Sequence, residues 1–439
     1  MPTLSVFQTV LLAIFGALAV SGVLIFALVV GGGGGNTIGP ITIWGTLEES
    51  AFRAVIRQLA EEDERLAQVS YVEKDAEGYV ALLTEALAEN TGPDLFLLRQ
   101  DYAVRDAGKV FPIPFDSFSE TQFRNTFIEA ADPYLSPNGV LAIPILADPL
   151  VLYWNRDMFS SAGYANPPRY WDELDGMSQN ITKKNDAGQI LKSTVSFGEY
   201  RNVNNAKDIL ATLILQAGSP ITAKDSTGQL VSALQPGSGG GALATEAALR
   251  FYTEFADPSK ARYSWSRALP ESRTAFASGD LALYIGFASE KPIIARMNPN
   301  LNFAAAPLPQ ARTAEHAIDT ARVYALATSQ TAKNPSSTFL VASILASADV
   351  SQAFSTVYGI PSARRDVLAS GASSEGSSFK SDSDLFNKQA IISRAWADPD
   401  PERTDGVFRA MIENVTTGTL RLQEAVVRAH QEMDHILDI

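Results

Sequence analysis

A single carboxylate inside an apolar segment is the feature of this sequence best suited to chemistry. Residues 141–154 form an apolar, β-prone run broken by Asp148 and Pro149. Burial of a carboxylate is costly unless the charge is paired. An Asp at a strand break, close to Tyr153 and Trp154, therefore suits a carboxylate and a ring directed into a cleft. A strand that ends at an Asp-Pro turn explains the same residues equally well.

Large aromatic residues recur near carboxylates and amides at predicted element ends. A flat ring can stack on the apolar face of a sugar while Asp, Asn and Arg hydrogen-bond to its hydroxyls. Most large aromatic side chains lie in the core, however, so ligand contact is the minority expectation at each position. Trp171, next to Pro167-Pro168 and a helix start, is expected to pack in the core. The residues concerned are Trp44, Tyr153, Trp154, Trp171, Trp265, Phe287 and Trp396.

Motifs for catalysis are not found in the sequence. The chain has no cysteine, which excludes thiolate catalysis and cysteine-based metal sites. His430 and His435 are five residues apart, which is not the spacing of a helical metal pair. The glycine-rich stretches lack the Lys-Ser/Thr of a phosphate-binding loop. A carboxylate pair for glycoside hydrolysis, such as Asp101 with Asp148, stays open. We predict a protein that is not an enzyme and has no cofactor or metal.

Length and composition limit the expected number of lobes and the kinds of partner. A chain of 439 residues exceeds what one hydrophobic core usually supports, so two lobes are expected. Acidic residues outnumber basic ones by 49 to 35, which gives a net charge of -14. Nucleic-acid binding requires clustered cations, and the sequence has no long Lys/Arg run. Nucleic acid is therefore excluded as a partner.

The N-terminal region predicts a membrane anchor. Residues 10–30 form an uninterrupted apolar run of transmembrane length, after a short tail at 1–9. The first ionisable side chain is Glu48, so the basic segment that begins a signal peptide is missing. We expect 10–30 to be retained in the lipid bilayer, with weak cleavage near Val30 as the alternative. Residues 31–37 then form a glycine-rich tether.

The elements that would position these residues alternate between strand and helix. Apolar spacing predicts strands at 41–44, 69–72 and 94–98, separated by helices at 48–67 and 79–88. This alternation is typical of a parallel α/β layer, in which ligands lie beyond the carboxyl ends of the strands. Further elements are predicted as helices at 209–217, 244–255 and 422–437, and strands at 281–287, 304–309 and 323–327.

Several motifs, in this order along the chain, resemble a known family. They are Gly92-Pro93-Asp94, AIPILADPLVLYWNRDMF at 142–159, Ala162-Gly163, PPRYWDEL at 167–174, Phe276-x-Ser-Gly-Asp280, Leu283-Tyr-Ile-Gly286, Asn302-Phe303 and Ala306-Pro-Leu-Pro309. Together they resemble the extracellular solute-binding proteins of ATP-driven importers, in the branch that includes maltodextrin-binding proteins. In that family the long motif is a strand into the binding cleft that continues as a crossing strand. Tyr170 replaces the usual Thr of the Pro-Pro helix start.

The resemblance implies an α/β, two-lobed periplasmic-binding-protein-like fold (a venus flytrap), here preceded by one N-terminal transmembrane helix. The lobes would close on a ligand by motion about the crossing strands. By position, the first lobe would hold residues 38–147 and 325–365, and the second 148–324 and 366–439.

The resemblance also implies ligand-binding residues. Trp44 and Thr46 follow the first strand, Asp101 follows the third, and Asp148 lies at the lobe junction. Phe287 occupies a position where the family often has a stacking Trp, which implies a smaller stacking surface. Looser matches in the second lobe are Asn204, Asn205, Trp265, Trp396 and Arg409.

The function implied is a membrane-anchored, extracytoplasmic solute-binding protein that captures a small polar ligand, a saccharide, for an ABC importer permease. The chain would be a single-pass protein of the cell membrane with its globular part outside. The family usually has a lipidated Cys or a cleaved signal in place of such an anchor. A ligand-sensing domain that contacts a signalling partner is one alternative, and an extracytoplasmic glycan hydrolase is another.

Overall fold

The computed structural model describes residues 38–234, 241–371 and 381–438. The predicted tail, anchor and tether at 1–37 lie outside the described residues. Within those residues, no single helix has both the length and the apolarity to cross a membrane. The helices Pro335–Leu345 and Ala348–Tyr358 reach both thresholds only as a pair, and they are bent by 65°.

Within 38–234, 241–371 and 381–438, fourteen strands and fifteen α-helices are assigned. The strands are β1 (Ile41–Gly45), β2 (Val69–Glu73), β3 (Leu95–Arg99), β4 (Leu135–Ser136), β5 (Gly139–Val140), β6 (Ile143–Asn155), β7 (Lys183–Lys184), β8 (Ile190–Val195), β9 (Thr222–Lys224), β10 (Leu230–Ser232), β11 (Leu281–Phe287), β12 (Phe303–Ala306), β13 (Asp319–Thr328) and β14 (Ser393–Arg394). The helices are α1 (Glu49–Glu62), α2 (Tyr79–Ala88), α3 (Glu120–Thr126), α4 (Arg156–Ser161), α5 (Glu173–Ile181), α6 (Ala206–Gln216), α7 (Gly241–Thr253), α8 (Ser272–Ala277), α9 (Lys291–Met297), α10 (Pro335–Leu345), α11 (Ala348–Tyr358), α12 (Arg365–Gly371), α13 (Asp382–Ile391), α14 (Pro401–Thr416) and α15 (Leu422–Leu437).

The central sheet has the order β2-β1-β3-β13-β6-β11-β8-β7. β1 pairs in parallel with β2 and β3, as the strand–helix alternation predicts. β13 and β6 are antiparallel to each other and link this half to the half that contains β11 and β8. We call the β1–β3 half the first lobe and the β8–β11 half the second lobe. Helices α6, α7, α14 and α15 pack together beside the second lobe.

The Asp-Pro pair does not break its strand. β6 runs without interruption from Ile143 to Asn155. Residues 143–149 pair with β13, and residues from Leu150 onward pair with β11. Pro149, which has no N–H to donate, lies where the strand changes partners, so both lobes share β6 as a crossing strand. The turn expected as one alternative is absent.

The first predicted helix is divided. Phe52, Val55 and Ile56 are buried on one face of α1, as their spacing predicts. The helix ends at Glu62 because Asp63 adopts an extended conformation. The Asp63 carboxylate accepts a hydrogen bond from the Arg65 backbone N–H and begins a separate 3-10 helix.

Trp171 packs in the core of the second lobe. Its ring is 8% exposed and its centroid lies 5.9 Å from that of Phe197. The indole N–H donates to Gln216 Oε1 at 2.6 Å, so its one polar group is satisfied. The packing role predicted for Trp171 is confirmed.

Candidate functional site

A cavity of about 810 Å³ lies between the two lobes, a volume typical of small-molecule sites. Its walls come from the turn after β3, from β13, from the start of α6, and from the segment that joins β14 to α14. Asp101, Asn205, Phe287, Trp396 and Arg409 line it, as do the charged residues Lys207, Arg322 and Asp398.

Asp101 lies in the 3-10 turn after β3, on the first-lobe side of the cavity. Arg99 Nε donates to its Oδ1 at 2.8 Å. Burial opposes ionisation of Asp101, but the charges of Arg99, Arg322 and Lys207 outweigh it, so the pKa lies below its ordinary value. Asp101 is therefore an ionised acceptor in the cavity.

Lys207 is fixed on the second-lobe side by three acceptors. Its Nζ donates to Asp398 Oδ2 at 2.7 Å, to Thr404 Oγ1 at 2.7 Å and to the Pro401 carbonyl at 3.1 Å. Burial raises the pKa of Asp398 to about 6, against the opposing effects of Lys207 and Thr404. Lys207 and Asp398 thus form a nearly buried ion pair in the cavity wall.

Arg105 crosses from the first lobe to the start of α14. Its Nη1 lies 3.1 Å from Glu402 Oε2 and 3.7 Å from Asp400 Oδ1. Its Nε donates to Asp106 in its own lobe at 3.1 Å. The guanidinium lies 4.5 Å from the ring centroid of Tyr102, which lines the cavity. Arg105 therefore connects the two lobes at the cavity edge.

Asn205 is positioned by backbone geometry and by one buried acid. It precedes α6 with φ of 59°, a conformation that Asn tolerates better than most residues. Its side-chain amide donates to Glu290 Oε1 at 2.9 Å, and the same oxygen accepts from the Phe287 N–H at 2.9 Å. Glu290 therefore couples the positions of two cavity residues.

Cations lie over the aromatic rings of the cavity. Lys207 Nζ is 5.5 Å from the Trp396 ring centroid, and the Arg409 guanidinium is 5.2 Å from that of Tyr200. Arg409 also pairs with Asp405 at 3.1 Å. These distances allow favourable cation–π attraction. Each of these two rings in the second-lobe wall therefore has a cation beside it.

Several predicted residues lie outside this cavity. Trp44 is half-buried beneath Lys74, whose Nζ is 4.1 Å from its ring centroid. Thr46 lines a separate cavity of about 80 Å³ in the first lobe.

Asn204 accepts from the Arg273 N–H at 2.9 Å. Trp265 is fully buried, and its indole N–H donates to Asn202 at 3.2 Å.

Asp148 is also outside the cavity lining. It is 1% exposed, and its two oxygens accept from the N–H and the hydroxyl of Ser289. Burial raises its pKa to about 6, although the Ser289 hydrogen bonds and the charge of Arg322 oppose that rise. The structure thus brings together Asp101, Asn205, Phe287, Trp396 and Arg409, and it places the other five predicted contacts elsewhere.

Lys207, Arg322 and Asp398 were missed by the motif-based interpretation. Lys207 lies between Asn205 and Asp208, in a polar cluster directly before an apolar helix. Arg322 immediately precedes a predicted strand, at a position where a cation is unusual unless paired. Asp398 precedes Pro399, which resembles the Asp-Pro signal at Asp148. The sequence signal that could have identified these three residues is therefore a charged side chain directly beside an apolar element.

Comparison with known proteins matches a family model over most of the chain and a curated relative over a shorter stretch. The family model for bacterial extracellular solute-binding proteins matches residues 44–350. A putative binding protein of Brucella abortus (strain 2308) is 30% identical over 103 residues, which are 23% of this chain and 24% of that protein. The match thus spans about a quarter of the length of that curated relative.

Solved structures are similar over almost the whole chain. A cyclo/maltodextrin-binding protein complexed with maltotetraose has a TM-score of 0.71 and 16% identity, covering 92% of this chain and 98% of that one. A cyclic alpha-maltosyl-1,6-maltose binding protein from Arthrobacter globiformis has a TM-score of 0.72 and 16% identity, covering 91% and 99%. These likenesses confirm the predicted two-lobed α/β fold.

Proposed function

The chain belongs to the bacterial extracellular solute-binding proteins, and we propose that it captures a saccharide in the cavity between its lobes and delivers it to an ABC importer permease. The ligand would contact both lobes at once. It would favour the closed arrangement because a ligand shifts an equilibrium only by its differential affinity for the two states.

The observation that carries this proposal is the mixture of ionised acceptors, donors and rings in one cavity. Asp101 and Arg322 offer opposite hydrogen-bonding roles, and Trp396 offers a half-buried ring. A sugar hydroxyl donates and accepts at the same time, so a site for sugars needs both kinds of partner. Among similar proteins, the cyclo/maltodextrin-binding structure holds maltotetraose.

We keep in the proposed site the five predicted residues that line the cavity. Arg322 joins them as a donor, and Lys207, whose three N–H groups all have protein acceptors, supports the cavity wall. We assign supporting roles to Trp44, Thr46, Asp148, Asn204 and Trp265, whose side chains lie in the surrounding packing. The lobe bounds predicted from the sequence, 38–147 with 325–365 and 148–324 with 366–439, belong to the same proposal.

Membrane attachment through residues 10–30 is a further part of the proposal. The apolar run has transmembrane length and no charged residue precedes it. Intact-mass analysis of the mature protein from the membrane fraction tests this directly. Retention of residues 1–30 supports an anchor, whereas a chain that begins near residue 32 contradicts it.

Binding without turnover is tested with the full chain in a detergent that has no sugar headgroup. Thermal unfolding is followed with oligosaccharides, polyols, peptides and inorganic anions. A saccharide at 100 times its Kd should add about 2.7 kcal/mol to the unfolding free energy. Stabilisation by peptides or anions alone contradicts saccharide capture, and hydrolysis of the added oligosaccharide supports the hydrolase alternative.

A further inference from the structure

The guanidinium of Arg322 lies over the ring of Phe287. The guanidinium carbon is 3.7 Å from the ring centroid, a stacking distance. Phe287 ends β11 and pairs with Leu150 of β6, and Arg322 pairs with Asp148 two positions earlier on the same strand. The sheet register therefore fixes the contact. Phe287 is 2% exposed, so a ligand cannot stack on this ring unless Arg322 moves.

Arg322 keeps hydrogen-bond donors available at the cavity. Its one hydrogen bond to the described residues runs from Nη2 to Asp208 Oδ2 at 3.1 Å. Nε, Nη1 and the second N–H of Nη2 have no acceptor within that part of the chain. Lys207, by contrast, has three protein acceptors. Arg322 is therefore held by a ring on one side and a carboxylate at one end. The free N–H of Nη2 and an N–H of a neighbouring guanidinium nitrogen form a planar pair of donors left for a ligand.

Formal charge is balanced among the ion pairs around Arg322. Arg99, Lys207 and Arg322 all act on Asp101, which sits among them. Their paired carboxylates are Asp101, Asp398 and Asp208, respectively. Three cations therefore meet three anions, and a carboxylate on the ligand would add an uncompensated charge to a partly desolvated site.

We propose that Arg322, stacked on Phe287, is the specificity-determining residue of the cleft, and that it selects an uncharged polyol whose neighbouring hydroxyl oxygens accept hydrogen bonds from the guanidinium. This inference rests on the proposed saccharide function. Phe287 then acts as the support under Arg322, and the guanidinium presents the flat surface that the ligand meets.

Substitution Arg322→Lys tests the inference because it keeps the charge and removes the planar donor pair. The full chain is titrated calorimetrically with maltotriose, mannotriose and glucose, and with the anionic glucuronate and trigalacturonate. The Kd of the neutral sugar that binds should rise at least about tenfold in Arg322→Lys, since hydrogen bonds from a charged donor are strong. The wild-type protein should prefer neutral sugars over their acids.

Arg312→Lys is the matched control. Arg312 also stacks on a ring, that of Tyr170 at 4.1 Å, and pairs with Asp172, but it lies outside the cavity lining. Its Kd should stay within about twofold of wild type, a difference below 0.5 kcal/mol by the usual conversion. Phe287→Leu removes only the ring under Arg322 and should lower the preference for neutral sugars over acids.

Three results would overturn the inference. Equal affinity of wild type and Arg322→Lys for a neutral sugar would show that the planar donors are unused, while the saccharide function would stand. Tighter binding of the anionic sugars than of the neutral ones would contradict the charge argument, and here too the saccharide function would stand. If neither neutral nor acidic sugars bind the wild-type protein, the proposed function fails and the inference falls with it.

Discussion

Both carboxylate oxygens of Asp148 are hydrogen-bonded to Ser289, one to its backbone N–H at 2.9 Å and the other to its hydroxyl at 2.6 Å. Asp148 lies in the crossing strand β6, and Ser289 lies in the 3-10 turn that follows β11. The pair therefore fastens the crossing strand to the second lobe. In this structure Asp148, the acid of the apolar run, connects β6 to the second lobe and lies outside the cavity lining.

Asp148→Asn should change the pH dependence of stability. The pKa of Asp148 is about 6 in the folded protein, above its ordinary 3.8. The folded state thus holds the proton more tightly than the unfolded chain, so this contribution to stability is fully present below about pH 4 and is lost as pH rises through about 6. Relative to the Asn variant, wild type should lose up to ~3 kcal/mol between pH 4 and 8.

Urea unfolding of both proteins at several pH values measures this difference. Asp186→Asn, at an exposed position, is the control and should leave the profile unchanged. Parallel profiles of wild type and Asp148→Asn would contradict the burial of an ionisable carboxyl at this position.

The two tryptophans Trp265 and Trp396 should respond differently to truncation. Trp265 is fully buried, so Trp265→Ala should lower the unfolding free energy by about 3–5 kcal/mol. Trp396 is half-buried in the cavity wall, so Trp396→Ala should mainly weaken ligand binding. Chemical denaturation and calorimetry on each variant separate the two effects. Loss of affinity in Trp265→Ala at unchanged stability would reverse the assignment.

Lys207→Met should destabilise the protein at neutral pH. The substitution leaves Asp398, which is 2% exposed, without its cation. Removal of one partner from such a buried pair costs about 3–5 kcal/mol, and Asp398→Leu in the same chain should restore part of the loss. The exposed pair of Lys192 with Asp280 provides the control, since Lys192→Met should cost less than about 1 kcal/mol. Equal losses from both substitutions, measured by urea unfolding, would contradict a buried pair.

Arg105→Gln should speed ligand release. Arg105 joins the first lobe to Glu402 and Asp400 of the second, so its loss favours opening. The dissociation rate, followed by stopped-flow fluorescence, should rise roughly two- to fivefold, as expected for a partly exposed ion pair. Arg124→Gln is the control, because its partners Glu120 and Asp132 lie in the same stretch of chain. An unchanged rate in Arg105→Gln would show that this link does not hold the closed arrangement.

Local patterns predicted most regular elements because they depend on neighbouring residues. The strand at β1, the helix α2 and the helix α15 match their predicted positions to within a residue. The division at Asp63 was not predicted, since it depends on one residue with extended backbone and its hydrogen bond to Arg65. Apolar periodicity carries no information about a helix end that depends on one backbone conformation and one hydrogen bond.

The site was harder to predict because its partners are far apart in sequence. The stacking of Arg322 on Phe287 depends on the register of three strands, and the pairing of Lys207 with Asp398 joins residues 191 positions apart. Asp101 and Trp396 could be selected by type and resemblance alone. Residue type and resemblance indicate Trp265 equally, and only the three-dimensional packing shows that its ring is enclosed.

Calorimetric titration of the full chain with a panel of neutral oligosaccharides tests saccharide capture most directly. We predict saturable binding with one site per chain for at least one sugar, weakened at least about tenfold by Trp396→Ala. Binding of that sugar with unchanged affinity in Trp396→Ala would contradict the location of the site. No heat from any saccharide, alongside saturable binding of a peptide or an inorganic anion, would contradict saccharide capture itself.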